Sequence, residues 1–385
     1  MISARRIIMN EFQLELRDGL RRFCLEQIEP HMEHDDETSH FRMEIFKGLG
    51  DFGVAGIPLP EEHGGAGLGY EDFCVVLEEI SRYSVSYAVT LSVSTMVQGI
   101  LDLFGNEKQK STYLPALCEG NEIGAFALSE SGSGSDAASL KTTAKKVKGG
   151  YVLNGSKLWI TSGGIAKTYI VMARTGGPGA SGVSAFIVRD GTDGFSYGKK
   201  EKKMGWRISP TRELIFDNCF VPEENLLSKE GDGFKIAMAA LDRGRITIGA
   251  IGVGAAQRAL DESINYTLER QQFGQSVFDF QGLQFMIADM ATEIVASRLL
   301  VQKAAEAFDA GKPDQILACM AKMKATDAAM RVTTDAVQLH GGVGYTSEYP
   351  VERFMRDAKV LQIVEGTNQI QKVVIARQLK KEYLK

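Results

Sequence analysis

The residue pattern best suited to chemistry lies near the C-terminus, where Glu365 sits between Val364 and Gly366, just ahead of a helix-favouring run over 369–378. A carboxylate beside an apolar residue and a glycine can be partly desolvated, which raises its proton affinity and suits it to act as a general base. A solvated glutamate at a helix start fits the same pattern. Upstream, Phe126, Ala127 and Leu128 lead into Ser129, Ser131, Ser133 and Ser135, interleaved with Gly132 and Gly134. That stretch offers N–H and O–H donors to a carbonyl or phosphate, although an ordinary polar turn has the same composition. Trp159, Ile160 and Thr161 fall in a strand-like run, and the two-residue period puts Trp159 and Thr161 on one face, a flat aromatic surface beside a hydroxyl. Asp242, Arg243 and Arg245, then Arg270, Gln272 and Phe273, lie along a long helical region, where surface ion pairs are the plainer explanation. Gln338, Gly341 and Gly342 form a glycine-rich corner.

Other patterns carry less. Gly132, Gly134 and Ala137 satisfy a dinucleotide fingerprint, but 140–147 reads as strand and no βαβ unit surrounds it. His31, His34 and His40 stand among acidic residues without a helical i, i+4 pair, so a solvated loop after Pro30 is expected there and no metal site. The run KKEKK from Lys199 reads as a wet surface loop. Gly249, Gly252 and Gly254, inside a helical pattern, predict close approach of another helix or backbone.

The elements that must position these groups change texture along the chain. Phe12, Leu16, Leu20 and Phe23 recur at helical spacing, and further helical stretches follow, including one around Phe73 to Ile80. From Tyr151, Thr168, Val183 and Arg212 run short β-branched and aromatic segments bounded by Gly, Ser and Asp. Helical periodicity returns from Gly233, with Leu283, Ile287, Met290 and Ile294 as one stripe and Gly311 before Pro313 as a stop. The order predicts a multidomain α+β chain: an N-terminal α-helical domain (1–122), a middle antiparallel β-domain (123–228) and a C-terminal four-helix bundle (229–385). At 385 residues two or three domains are expected.

With 44 Lys plus Arg against 49 Asp plus Glu, the chain has no basic field for nucleic acid. Five scattered cysteines without a C-x-x-C pair point to free thiols in a reducing compartment. No apolar run is expected to reach the ~18–20 residues of a membrane span. A bacterial cytoplasm is the simpler location; Arg5 and Arg6 within Met1 to Ile8 also fit the stub of a mitochondrial presequence, which would place a eukaryotic protein in the matrix.

In order, the segments LSESGSGSD, WIT, LDRGR, ERQQFG, QLHGGVGY and VEGTNQIQ resemble the acyl-CoA dehydrogenases over nearly the whole chain. LSESGSGSDAASL, GGPG and KKEKKMGW are most similar to isobutyryl-CoA dehydrogenases. The resemblance implies FAD held in an extended pose between the β-domain, the C-terminal bundle and a neighbouring subunit of a homotetramer. It implies that the stretch Phe126, Ala127, Leu128, Ser129, Gly134 and Ser135 lies along the flavin, that Trp159 shields its ring with Ile160 a further cofactor contact, and that Thr161 bonds near N5. Arg270, Gln272 and Phe273 are implied to meet the diphosphate and adenosine half across the subunit contact, and Gln281 is implied as a further FAD contact. Gln338, Gly341 and Gly342 would touch the same half, and Thr367 and Gln369 make further FAD contacts. Ser135, Asp242, Arg245 and Gly366 match substrate-contacting positions.

Glu365 matches the family's base, which takes the α-proton of an acyl-CoA while the β-hydride goes to the flavin. Some relatives carry that carboxylate at the position of Gly244, which has none to offer, so Glu365 keeps the role. Val364 stands where many straight-chain members have a bulkier Tyr. Room for an α-methyl branch makes isobutyryl-CoA the expected substrate, with butyryl-CoA and 2-methylbutyryl-CoA as alternatives because Trp159 and Thr161 follow the general family form. The expected electron acceptor is an electron-transfer flavoprotein. An acyl-CoA oxidase is the rival within the fold, disfavoured by the compact length. A flavin-free CoA-binding or scaffolding protein is the rival of another class, disfavoured by the intact Glu365, Thr161 and Arg270.

Overall fold

A computed structural model describes residues 9–384, so the presequence expectation for 1–8 lies outside the described residues. The first helix, α1 (Glu11–Phe23), begins where Asn10 and Gln13 satisfy each other's backbone N–H groups in a capping box. Its Leu20 is buried, but Phe12 at the start of the expected stripe is exposed. Then come α2 (Met32–Thr38), α3 (Met43–Asp51), α4 (Tyr70–Ser81), α5 (Val85–Phe104) and α6 (Glu107–Cys118).

Three expectations about this region and its neighbours are corrected. The acidic, histidine-rich stretch after Pro30 is the helix α2, not a solvated loop. Asp35 is buried against the Arg42 guanidinium at 2.7 and 2.9 Å, and Asp36 accepts from Arg356 at 2.7 Å, so these two charges are ion-paired while Glu33 and Glu37 face solvent. The lysine run after Lys199 is only half wet: Lys199 and Lys202 face solvent, while Lys200 bonds the Ser39 carbonyl and Lys203 the Ser209 carbonyl. Finally, α5 is long and apolar enough to cross a membrane, but 78% of its apolar window is buried inside the protein against α7 (Gly233–Glu269), α6 and the sheet. An all-round apolar helix is what a core position demands.

The middle of the chain forms one eight-stranded sheet: β1 (Gly124–Ala127), β2 (Thr143–Val147), β3 (Gly150–Thr161), β4 (Thr168–Arg174), β5 (Val183–Arg189), β6 (Phe195–Lys200), β7 (Thr211–Pro222) and β8 (Leu226–Leu227). It is mixed, not antiparallel. The path β6-β7-β3-β2-β4-β5-β8 is antiparallel except at β2–β4, and β1 also pairs with β4 in parallel. A hairpin turn forces antiparallel pairing between β2 and β3, whereas β1 arrives from α6 with no hairpin to fix its direction.

The C-terminal part has four long helices, α7, α8 (Gln281–Asp309), α9 (Gln315–His340) and α11 (Asn368–Tyr383), with the shorter α10 (Val351–Leu361) packed on α9. The α7 glycines act as expected. A Cβ on Gly249 would meet Val301 of α8, one on Gly252 would meet Ala325 of α9, and one on Gly254 would stand 2.9 Å from the Glu78 carbonyl carbon of α4. Ile287, Met290 and Ile294 are buried, as the α8 stripe predicts. Between α7 and α8 projects a hairpin, β9 (Gln271–Gln272) and β10 (Gln275–Ser276).

Candidate active site

Glu365 lies in the short loop joining α10 to α11, with φ of 55°, a left-handed backbone that non-glycine residues rarely adopt, followed by Gly366 at 83°. Such a conformation costs on the order of 1–3 kcal/mol unless the surroundings hold it. Here three buried side chains do so. Gln371 donates to the Glu365 carbonyl at 3.0 Å and the Gly366 carbonyl at 2.8 Å. Lys322 of α9 donates to the same Gly366 carbonyl at 3.1 Å and to Asn368 Oδ1 at 2.8 Å. Asn368 in turn donates to Asp327 Oδ1 at 2.7 Å.

The pinned loop aims its carboxylate at α7. Oε2 of Glu365 is enclosed and has no hydrogen-bond partner among the described residues. A Cβ on Gly244 would come within 2.7 Å of Glu365 Cδ, closer still to Oε2, and within 2.8 Å of the Met96 methyl on α5. The missing side chain at Gly244 is therefore the slot that the carboxylate fills. Burial pushes the Glu365 carboxyl up to about 7, while the positive charges of Arg245 and then Lys322 pull it back. A base poised near neutral pH in a site with an unsatisfied oxygen fits proton transfer.

Beside it, Arg245 is 5% exposed and pairs with Asp242, which also accepts from Gln315 at 3.3 Å; Arg245 Nε is buried without a partner. The sequence pointed to Asp242 and Arg245. It gave no role to Lys322, Asn368 or Gln371, or to Met96. The readable signal for Lys322 was its place on the small-residue stripe of α9, among Ala318, Cys319, Ala325 and Thr326, where a solvated lysine has no room.

A second group surrounds the end of β3. Leu158 N–H donates to the Ser129 carbonyl at 2.9 Å, joining the β3 end to the loop after β1. That loop closes on itself through Glu130 and Ser133, and a Cβ on Gly132 or Gly134 would meet nothing. Its anchor went unnoticed in the sequence: the fully buried Lys157 donates to Glu130 at 2.7 Å and to the Leu128 carbonyl at 3.1 Å, and Glu130 also receives the N–H groups of Lys141 and Thr142. Burial pushes Lys157 down to about 8, against the opposing charge of Glu130.

Between Lys157 and Ile160 the register with β7 shifts, and Trp159 has φ of 63°. The simple alternation fails at this bulge, since Lys157 is buried and Trp159 is 62% exposed. Trp159 and Thr161 nonetheless both remain open on either side of the buried Ile160. Ser129 is half-buried, and Gly134 and Ser135 face solvent. An unclaimed indole face beside open hydroxyls and loop N–H groups fits a flat ring bearing carbonyl acceptors.

The third group lies elsewhere. Arg270, Gln272, Phe273 and Gln281 are exposed in and after the β9–β10 hairpin, with Phe273 94% exposed. Gln338, Gly341 and Gly342 are exposed at the end of α9, where buried His340 stacks on Tyr266 of α7 at 4.5 Å and brings the two helix ends together. At 1.5 Å per residue, Arg270 is roughly 39 Å along α7 from Gly244. Within one chain this group does not join Glu365. Thr367 caps α11 by accepting from the Ile370 N–H, and Gln369 is exposed on its first turn.

Residues 10–121, 125–219 and 231–380 match the N-terminal, middle and C-terminal domains of acyl-CoA dehydrogenases. An acyl-CoA dehydrogenase of Bacillus subtilis is 49% identical over 95% of this chain and 97% of its own. The mitochondrial isobutyryl-CoA dehydrogenase of Dictyostelium discoideum is 41% identical over 97% of this chain and 90% of its own. The structure of butyryl-CoA dehydrogenase from Megasphaera elsdenii superposes with a TM-score of 0.94 at 42% identity, covering 96% of this chain and 98% of that one. This chain belongs to the acyl-CoA dehydrogenase family, oxidoreductases acting on CH–CH bonds.

Proposed function

We propose that the protein is an FAD-dependent dehydrogenase of a short, 2-methyl-branched acyl-CoA, converting isobutyryl-CoA to methacrylyl-CoA with Glu365 as the base. The observation that carries the base assignment is the enclosed, unpartnered Oε2 of Glu365, set in the slot left by Gly244. The α-proton of a thioester is far less acidic than a carboxylic acid, and each unit of mismatch costs about 1.4 kcal/mol. Raising Glu365 to about 7 narrows the gap from one side. The Glu365 backbone N–H, offered to the thioester oxygen, narrows it from the other by stabilising the developing enolate. Arg245, Asp242, Gly366 and Ser135 are the residues proposed to hold the thioester and its CoA tail.

Ser129, Trp159, Thr161 and the loop through Ser135 would hold the flavin ring, and Thr367 and Gln369 further atoms of FAD. When bound, FAD supplies the hydride acceptor for the β-carbon. Arg270, Gln272, Phe273 and Gln281 lie at and beyond the far end of α7, and Gln338, Gly341 and Gly342 at the adjoining end of α9, away from the Glu365 end of the bundle. Their exposure supports a homotetramer in which they complete the neighbouring subunit's site. The electron acceptor proposed is an electron-transfer flavoprotein.

Support for the branched substrate is Val364, a small residue next to the base, together with the likeness to an isobutyryl-CoA dehydrogenase. The likeness to a butyryl-CoA dehydrogenase favours the second reading, a straight four-carbon chain. Anaerobic flavin bleaching by isobutyryl-, butyryl- and 2-methylbutyryl-CoA decides between them, and a butyryl preference refutes the branched reading. Glu365→Gln is expected to keep FAD and bind acyl-CoA without bleaching; normal bleaching in that variant would sink the base assignment. Slow reoxidation in air separates a dehydrogenase from an oxidase, and a colourless protein that binds CoA would point to the scaffolding alternative.

A further inference from the structure

Lys322 is fully buried in the middle of α9, and a lysine rarely occupies such a position without a task. Its ammonium is spent on neither a surface ion pair nor a helix end. It bonds the Gly366 carbonyl at 3.1 Å and Asn368 Oδ1 at 2.8 Å, the two ends of the turn that follows Glu365. We propose that Lys322 is a positioning residue for Glu365, fixing the left-handed loop through Gly366 and Asn368 and setting a buried positive charge against the carboxylate. The proposal rests on the assignment of Glu365 as the base.

Two consequences of the geometry support it. First, the positive φ values at Glu365 and Gly366 occur where Gln371 of α11 holds both carbonyls and Lys322 of α9 holds that of Gly366, which fixes the loop with its carboxylate in the Gly244 slot. Second, the charges facing Glu365 come from two elements. Arg245 on α7 is tied to Asp242, while the Lys322 ammonium on α9 bonds the Gly366 carbonyl and Asn368, with Asp327 acting on it as a nearby charge. Met96 of α5 contributes an apolar wall. Around Lys322 stand Asp327 and Cys319 of α9, with Arg245 opposite; burial pushes Lys322 down to about 8, and the charge of Glu365 does more than that of Asp327 to hold it up. The two groups therefore favour each other's charged forms, and Lys322 keeps part of the Glu365 population ionised where burial alone would leave it protonated.

The test uses the FAD-loaded protein and reads flavin bleaching by isobutyryl- and butyryl-CoA from pH 5.5 to 9, together with α-hydrogen exchange of the acyl-CoA in D2O by mass spectrometry. In Lys322→Met the acid limb of both readouts moves up by about one pH unit, with roughly a tenfold slower rate at pH 6 and little change in KM. Lys322→Arg, which keeps a charge, returns the limb toward wild type. Asp327→Asn removes the negative charge that helps keep Lys322 ionised, so the limb moves up here as well, by less than in Lys322→Met, in a variant that retains Lys322. A limb in Lys322→Met that coincides with wild type overturns the proposal. Should that variant fail to fold, an unmoved limb in Asp327→Asn overturns it. Glu365→Gln is run alongside: if it still bleaches, the base assignment falls and the proposal with it, whereas an inert Glu365→Gln beside an unmoved Lys322→Met limb overturns the proposal alone.

Discussion

Gly244→Ala is a one-methyl change whose effect on rate and on stability should have opposite character. The new Cβ would stand 2.7 Å from Glu365 Cδ and 2.8 Å from Met96 Cε, where about 3.4 Å is the closest comfortable approach. Met96 is an unbranched side chain and can swing away at small cost. Glu365 cannot follow as easily, because Gln371 and Lys322 hold the carbonyls of its loop, so the carboxylate rotates out of the slot by roughly 0.7–1 Å. Misplacing a reacting group by that much costs about a hundredfold, or about 2.7 kcal/mol of barrier. Folding should respond differently. Ala is a better helix residue than Gly by about 1 kcal/mol, which offsets part of the ~1–3 kcal/mol of crowding and leaves a net cost of about 0–2 kcal/mol. The expected result is a purified, FAD-loaded protein with a melting temperature within a few degrees of wild type and a flavin-bleaching rate about a hundredfold lower. A rate within threefold of wild type would show that the Gly244 slot does not position the base.

Three further outcomes follow from the buried charges and thiols. The raised Glu365 carboxyl makes the folded chain bind a proton more tightly than the unfolded chain, so stability falls as pH rises from the ordinary carboxyl range through about 7; Glu365→Gln removes that fall, read as a flatter melting temperature between pH 5 and 8. Lys157→Ala leaves Glu130 buried without its cation and should cost about 3–5 kcal/mol, with lower FAD occupancy because the loop through Ser135 loses its anchor; unchanged absorbance at the flavin maximum per protein would contradict this. Burial pushes Cys74, Cys118, Cys219 and Cys319 above the ordinary thiol range, so native protein at pH 8 should resist thiol reagents that label all five cysteines after denaturation, and rapid labelling of any one would contradict its burial.

The parts of this protein legible in its sequence are those governed by local rules. Periodicity located the helices and strands, because a 3.6-residue or two-residue repeat of apolar groups is set by the element itself. Glu365 stood out as a candidate because Val364 and Gly366 flank it, but a solvated helix start fitted the same pattern, and its burial depends on α7 and α9 packing over the loop. What stayed hidden depends on distant partners. Asp35 and Asp36 read as wet because nothing near them in sequence says that Arg42 and Arg356 will neutralise them, the latter from α10. The parallel pairing of β1 with β4 was hidden because strand direction across a helix connection leaves no local trace.

Lys322 and Lys157 share a lesson of the same kind. Each is a lysine with no exposed surface, each bonds a backbone carbonyl and a polar side chain from another segment, and each sits under a loop that carries candidate site residues. In sequence, a lysine ordinarily signals solvent. The signal that it does not is negative: in α9, a long charged side chain among the small residues Ala318, Cys319 and Ala325. A buried cation is costly to keep, so it persists where it holds something that a hydrophobic side chain could not. In this fold the things held are the turn that aims Glu365 and the loop that borders Trp159, which places the two hidden lysines under the two halves of the proposed chemistry.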